Sequence, residues 1–448
     1  MKTSGKHEVV FNGPFYTRFM INSSNLINQG YSIVQEKILT ELKQKGLRNW
    51  FIEGGKESDL LWDTEYTSVY GGTPMVPSSF IGKKIPLDEK IIEFEENNFW
   101  IKKILFFYHD YGVGVYRILV KVDLKESLEI VEYRKLVERF NPLLSDIINP
   151  YIEKETLILK RILEENNVEF DSYEMISKEL QEKNSEFIPI RSSLWYHRIF
   201  EFKEESVNIP ISEELLAEYK RLLYSSQLIG PQNCALDPDT VVIPAFGYSL
   251  FIYDKDNFPK DIDLNRLVET AQYYYASTSL LDTIMFNKLA AYSMKRTLPP
   301  KIKQLEVEIE DIKKLSDELE LYLLILKDTV INLNPSSILM WRNLEKEWYY
   351  MPMLDGLQQK NDLLNTKYSE LLDELSQKRS ETLNRFVKIF TVFAILGPLI
   401  EIYNFAKDEN LFTLILENLG IVLAITIPIV GIIVAVAIYS LNYFQDIL

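Results

Sequence analysis

Two apolar runs near the C-terminus constrain this chain more than any other feature. Phe386 to Phe405 reads FVKIFTVFAILGPLIEIYNF, and Leu419 to Leu441 reads LGIVLAITIPIVGIIVAVAIYSL with no charged residue. A helix of about 20 residues extends roughly 30 Å, the thickness of the hydrocarbon layer of a bilayer. The pair predicts a membrane hairpin over residues 386–448, with a first span at 386–405, an outer loop at 406–418 and a second span at 419–441. The alternative is a helical hairpin buried inside a core. Lys378, Arg379 and Arg385 precede the first span with Lys388 at its start, and Lys407, Asp408, Glu409 and Glu417 lie in the loop. That asymmetry predicts a multi-pass protein of the inner or plasma membrane with both termini cytoplasmic. Glu401 falls within the first apolar band or at its edge, where an ionisable side chain faces either a pore or the headgroup layer. Gly397 permits close helix approach, and Pro398 predicts a kink. Two helices enclose no water path, so conduction requires several copies around an axis.

Upstream, residues 261–385 read as a helical stalk. Ile302, Leu305, Ile309, Ile312, Ser316, Leu319, Leu323, Leu326 and Val330 follow alternating three-four spacing, and Leu354, Leu357, Asn361, Leu364, Tyr368, Leu371 and Leu375 repeat it after Pro335 and Pro352. Such seams specify coiled-coil packing, within the chain or between copies. Asn361 occupies a seam position, where an amide sets register or is a tolerated polar break. Between Glu306 and Glu320 stand seven acids against Lys313 and Lys314. Glu306, Glu310 and Asp311 are the candidate ligands for a divalent cation there, the alternative being a solvated helix face.

Residues 1–260 read as an α/β domain. Ile104–Asp110 and Val113–Leu124 predict a hairpin turning at Tyr111-Gly112, and a helix follows from about Ser127 to Ile148. Ser193–Lys203 alternates as a strand, Asp239–Asp254 predicts two strands about Pro244–Gly247, and Asp263 to about Lys295 predicts a long helix. No phosphate loop, GxSxG, HExxH or cysteine pair occurs, so the expectation is a non-enzyme. His109 and His197 sit in or beside strands. With Arg117, Arg191 and Arg198 they form a candidate pocket for an anionic ligand, against the alternative that these cations simply pair with an acidic surface. The net charge of −16 argues against direct binding of nucleic acid, and the single cysteine, Cys234, forms no disulfide within the chain.

The order of parts, and the stretch Ile402-Tyr403-Asn404-Phe405, resemble the CorA-type magnesium channel family. In that family the first span ends in Gly-Met-Asn, preceded by Ile-Tyr and followed by Phe. Here Gly and Met are missing, and the family's basic C-terminal tail is replaced by NYFQDIL. The resemblance implies a CorA-like fold, in which an α/β cytosolic domain is followed by a long antiparallel helical stalk and two C-terminal transmembrane helices. It implies that Asn404, next to Tyr403, holds a hydrated divalent cation such as Mg²⁺ at a pore mouth, with Glu401, Asp408 and Glu409 concentrating cations there. It implies five subunits, and altered seams leave three or four open. Relatives lacking Gly-Met-Asn are associated with antiviral systems, including type III CRISPR loci, where the cytosolic domain binds a nucleotide messenger. Three functions are therefore expected side by side: a homo-oligomeric channel for divalent cations, a messenger-gated membrane effector, and a non-conducting scaffold anchored in lipid.

Overall fold

The computed structural model describes residues 2–17, 19–21, 23–52, 79–86, 90–172, 194–204, 234–237, 240–254, 264–294, 301–331 and 335–408, with single positions between 214 and 223. The chain divides into two compact units. One comprises Met1–Lys295 with Lys314–Leu364, and the other Arg296–Lys313 with Asn365–Leu448.

The first unit is organised by a ten-stranded mixed sheet. Its strands are β1 (Lys2–Tyr16), β3 (Trp50–Phe51), β4 (Ile81–Lys84), β5 (Lys90–Phe94), β6 (Asn97–Tyr108), β7 (Val113–Glu129), β9 (His197–Glu204), β10 (Cys234–Asp237), β11 (Thr240–Ala245) and β12 (Tyr248–Asp254). The order is β10-β11-β12-β9-β1-β7-β6-β4-β3, with β5 paired to β6. Among the described residues only β12 and β9 run parallel. A separate ribbon joins β2 (Phe19–Ile21) to β8 (Phe170–Ser172). The predicted hairpin is β6–β7, closed by Gly112 at φ 73°, and Gly247 at φ 77° turns β11 into β12. Both glycines hold a backbone conformation that costs other residues about 1 kcal/mol or more.

The central strand, β1, is the one the sequence hides. Its alternation is interrupted by Asn12-Gly13-Pro14, yet it pairs with β7 on one side and β9 on the other. Gly13 is required there, because a Cβ would lie 2.1 Å from both the Trp195 carbonyl oxygen and the Tyr116 hydroxyl.

Against one face of the sheet lie α1 (Ser23–Gln29), α2 (Tyr31–Gln44), α3 (Ile130–Arg139) and α4 (Asn141–Glu165). The helix expected over 127–148 is thus divided: β7 continues to Glu129, and α4 begins afresh with Pro142 in its first turn. Val9, Phe11, Phe106, Ile118 and Val120 of the sheet meet Leu136, Val137, Leu144 and Ile148 of α3 and α4 in one apolar cluster. Each such side chain contributes roughly 1.5–3 kcal/mol by burial. The other face is covered by α5 (Leu264–Met294) and α7 (Pro335–Glu347), with α6 (Ile302–Ile331) and α8 (Tyr350–Asp408) contributing to both units.

Both predicted seams are buried in part: Ile302, Ile309, Leu354 and Tyr368 are only half-buried, and Val330 lies outside the residues whose side chains are described. Leu319, Leu323 and Leu326 of α6, and Leu357 and Leu364 of α8, lie inside the first unit, where Ser316 Oγ donates to Asn361 Oδ1 at 3.0 Å. In the second unit Leu305, Ile312, Leu371 and Leu375 are buried, and Arg379 pairs with Glu306 at 2.7 Å.

The expected CorA-like two-span fold is corrected by the structure. Among the described residues no helix is long and apolar enough to cross a membrane. This contradicts the transmembrane part of the expected fold, and the described helices do not fit the membrane and channel reading built on it. Residues 386–405 are the far portion of α8, whose preceding residues are largely polar. The uncharged stretch between Lys388 and Glu401 is about 18 Å long as a helix, short of the roughly 30 Å that hydrocarbon demands. The second predicted span, 419–441, and the loop from Glu409 onward lie outside the described residues.

Candidate functional site: a buried polar row beneath helix α5

One residue out of phase with the apolar cluster, the same strands carry a polar row. Arg117 of β7 is directly opposite Asn12 of β1, and Asn12 is directly opposite His197 of β9. Side chains of directly opposed residues share a face, so the three line up on the side that α5 covers. All are buried, Asn12 and His197 completely.

Helix α5 answers this row with a polar stripe. Glu269, Gln272 and Tyr273 recur at i, i+3 and i+4, which places them on one helix face. Glu269 Oε2 lies 2.5 Å from Arg117 Nη2, and both side chains are almost wholly buried. Gln272 accepts from the Trp195 indole at 2.5 Å. Tyr273 donates to Asp110 Oδ1 at 2.8 Å, and its ring stacks on that of His109 at 4.0 Å. Breaking a buried ion pair by removing one partner costs about 3–5 kcal/mol, because the remaining charge is left in a poor solvent. Arg117–Glu269 therefore fixes where α5 sits on the sheet.

Further along α5 the polar contacts pass to other helices of the same unit. The Tyr322 hydroxyl of α6 donates to the Tyr274 carbonyl at 3.0 Å and lies 2.8 Å from Ser277 Oγ and 2.7 Å from Thr278 Oγ1. The hydroxyl of Tyr350, the first residue of α8, is 3.1 Å from Thr278 Oγ1. Tyr111, in the β6–β7 turn, donates to the Glu318 carbonyl of α6 at 3.3 Å. Burial pushes the Tyr322 hydroxyl up to about 12 and that of Tyr350 well above its ordinary range, so both remain protonated donors near neutrality. Lys360 of α8 closes the set with an ion pair to Asp282 of α5.

His197 invites a nucleophilic reading, since its Nε2 lies 2.9 Å from Ser249 Oγ. Three observations oppose it. Both residues are completely buried. Burial and the neighbouring Arg198 hold the imidazole down to about 3, too low to accept the serine proton at neutral pH. Nδ1 has no hydrogen-bond partner, so no third group orients the ring. The pair is a polar tie between β9 and β12, with the ring of Trp348 at 5.4 Å.

The predicted anion pocket is therefore divided. The structure brings His109, Arg117 and His197 to the α5 face of the sheet. Arg198, one residue from His197, points to the opposite face, where its guanidinium lies 5.0 Å from the ring centroid of Tyr248. Arg191 lies outside the described residues. Of the predicted pore residues, Gly397, Glu401, Tyr403, Asn404 and Asp408 fall on α8, where Tyr403 and Asn404 are exposed, and Glu409 lies outside the described residues. Glu306, Glu310 and Asp311 are exposed on α6, and Glu306 is committed to Arg379. No group of three or more His, Cys, Asp or Glu that could hold a metal ion occurs among the described residues.

Sequence reasoning missed Asn12 and Glu269. The i, i+3, i+4 stripe on α5 was a legible signal for Glu269, whereas Asn12 needed the strand register. Comparison with protein-family models, with curated proteins and with solved structures returns no match. The CorA resemblance thus rests on Ile402-Tyr403-Asn404-Phe405 and the order of parts in the sequence.

Proposed function

We propose that this chain is a non-catalytic regulatory transducer that works as an assembly of identical copies. A ligand or partner engaging the sheet shifts the polar row, and α5 passes the shift to α6 and α8. The observation that carries this reading is the Tyr322 hydroxyl, held between Tyr274, Ser277 and Thr278 of α5, with Tyr350 of α8 on the same Thr278. Apolar packing alone tolerates small slides, but a buried hydrogen-bond cluster has discrete arrangements and leaves donors unsatisfied between them. Such an element converts a small displacement at one end into a change of state at the other.

Association of copies is supported by Leu383, Phe386, Phe390, Phe393 and Ile400. These residues of α8 follow three-four spacing as far as Phe393, with Gly397 at the next position before Ile400, and each is more than half exposed. An apolar stripe of that kind suits packing against a like helix.

A double-mutant cycle tests the transducer. Glu269→Gln and Tyr322→Phe alter the two ends of the relay without removing volume. If the relay is one cooperative network, their effects on unfolding free energy depart from additivity by about 0.5–3 kcal/mol. Additivity within about 0.5 kcal/mol defeats the proposal.

A further inference from the structure

On the α3 face of the sheet two guanidinium groups are buried with a single carboxylate near them among the described residues. Arg198 is 8% exposed and Arg134 is 6% exposed. Arg134 Nε lies 3.4 Å from Glu138 Oε1, one helical turn along α3. Arg134 Nη1 donates to the Arg221 carbonyl at 3.5 Å. Arg198 Nη1 donates to the Tyr196 carbonyl at 3.4 Å, and its Nε has no hydrogen-bond partner. No carboxylate lies within ion-pair distance of Arg198 among the described residues. Tyr248 bridges the cluster: its ring lies under the Arg198 guanidinium, and its hydroxyl donates to Glu138.

An arginine keeps its charge in proteins, so a buried guanidinium does not escape an unpaired site by losing a proton. Removing such a charge from water costs several kcal/mol unless an anion compensates it. Glu138 is shared with Arg134 and Tyr248, and its side chain is 34% exposed, so among the described residues one positive charge has no carboxylate of its own. In a chain of net charge −16, two cations gathered and buried together stand out from the general surface.

We propose that Arg198 and Arg134, with the Tyr248 hydroxyl beside them, form a binding site for a phosphate-class oxyanion. The planar guanidinium fork suits tetrahedral oxyanions, and Arg198 Nε is a buried donor without a hydrogen-bond partner. Tyr248 supplies a third donor when its hydroxyl turns from Glu138 to the ligand. Glu138 competes with the ligand for the same cations, which sets the sign of the decisive variant. The site lies on the face opposite the polar row, and its occupancy is read without reference to the helix relay. Failure of either reading leaves the other standing.

The test is a calorimetric titration of the full chain with inorganic phosphate, against chloride at matched ionic strength. Saturable binding to the wild type is expected. Arg198→Gln weakens it by about tenfold or more, and Arg198→Lys, which keeps the charge but not the fork, weakens it less. Glu138→Gln removes the competing charge and tightens binding by about fivefold. Should Arg198→Gln fail to fold, Glu138→Gln decides alone, since a merely structural cluster gives no gain in affinity. The proposal is overturned by a wild-type response no different from chloride, by unchanged affinity in a folded Arg198→Gln, or by weaker binding in Glu138→Gln.

Discussion

On the side of the sheet that faces α3 and α4, Phe11 and Ile118 pack into a continuous apolar cluster. One residue along the same two strands, Asn12 and Arg117 point the other way, into a layer of hydrogen bonds and a buried ion pair under α5. The first face is held mainly by burial, which depends on area and tolerates many arrangements of similar volume, with Lys83–Glu155 and the Arg134–Arg198 cluster as its polar exceptions. The second depends on particular partners, because each buried donor or charge costs about 1–3 kcal/mol or more when its partner is missing. Neighbouring positions in one strand thus serve different purposes: the α3–α4 face supplies stability, and the α5 face fixes the position of the helices that follow.

The sharpest way to break this contrast is at Arg117. Arg117→Met leaves Glu269 charged and buried, and a loss of about 3–5 kcal/mol in unfolding free energy is expected from urea denaturation. Arg117→Met combined with Glu269→Leu restores most of that stability, since a buried pair replaced by apolar groups is often neutral or better. Next along the strand, Ile118→Ala costs about 2–5 kcal/mol through the cavity it leaves, and no change at Glu269 rescues it. Rescue in the second case, or its absence in the first, erases the distinction between the faces.

Acid sharpens the comparison. The folded His197 imidazole is held down to about 3, below its ordinary value near 6.5 in an unfolded chain. Its contribution to stability is complete above the unfolded value and is lost as pH falls from there towards about 3. The expected loss from this one group between pH 7 and pH 5 is about 2 kcal/mol. His197→Gln should flatten that part of the stability profile relative to wild type, and identical profiles would remove His197 from the account. The smallest expected effect lies in the helical pair. Ser316→Ala orphans the Asn361 amide and costs about 1–2 kcal/mol, whereas Ser316→Ala with Asn361→Leu returns close to wild type.

The contrast also explains what could be read from the sequence. The β6–β7 hairpin and helix α5 were legible from their apolar runs and the breakers that bound them, and the seams from the leucines they bury. The Ser316 and Asn361 positions were visible as breaks in two seams, although their pairing was not. The central strand β1 stayed hidden because Asn12, Gly13 and Pro14 are poor strand formers kept by local demands: a polar row on one side and a close approach by Trp195 on the other. Residues 386–405 misled because Lys388 and Glu401 were read as flank and pore residues of a span, whereas the uncharged stretch between them is too short to cross hydrocarbon. Grouping His197 with Arg198 failed for a simpler reason, that successive strand residues face opposite ways.

The central claim is that the state of the polar row reaches α6 and α8 through α5. Amide hydrogen exchange in full-length Glu269→Gln, compared with wild type, tests it most directly. Faster exchange is predicted in α6 from Ser316 to Leu326 and in α8 from Tyr350 to Leu364, with α3 and α4 unchanged. Faster exchange confined to β1, β7 and α5, or spread equally over α3 and α4, would contradict it.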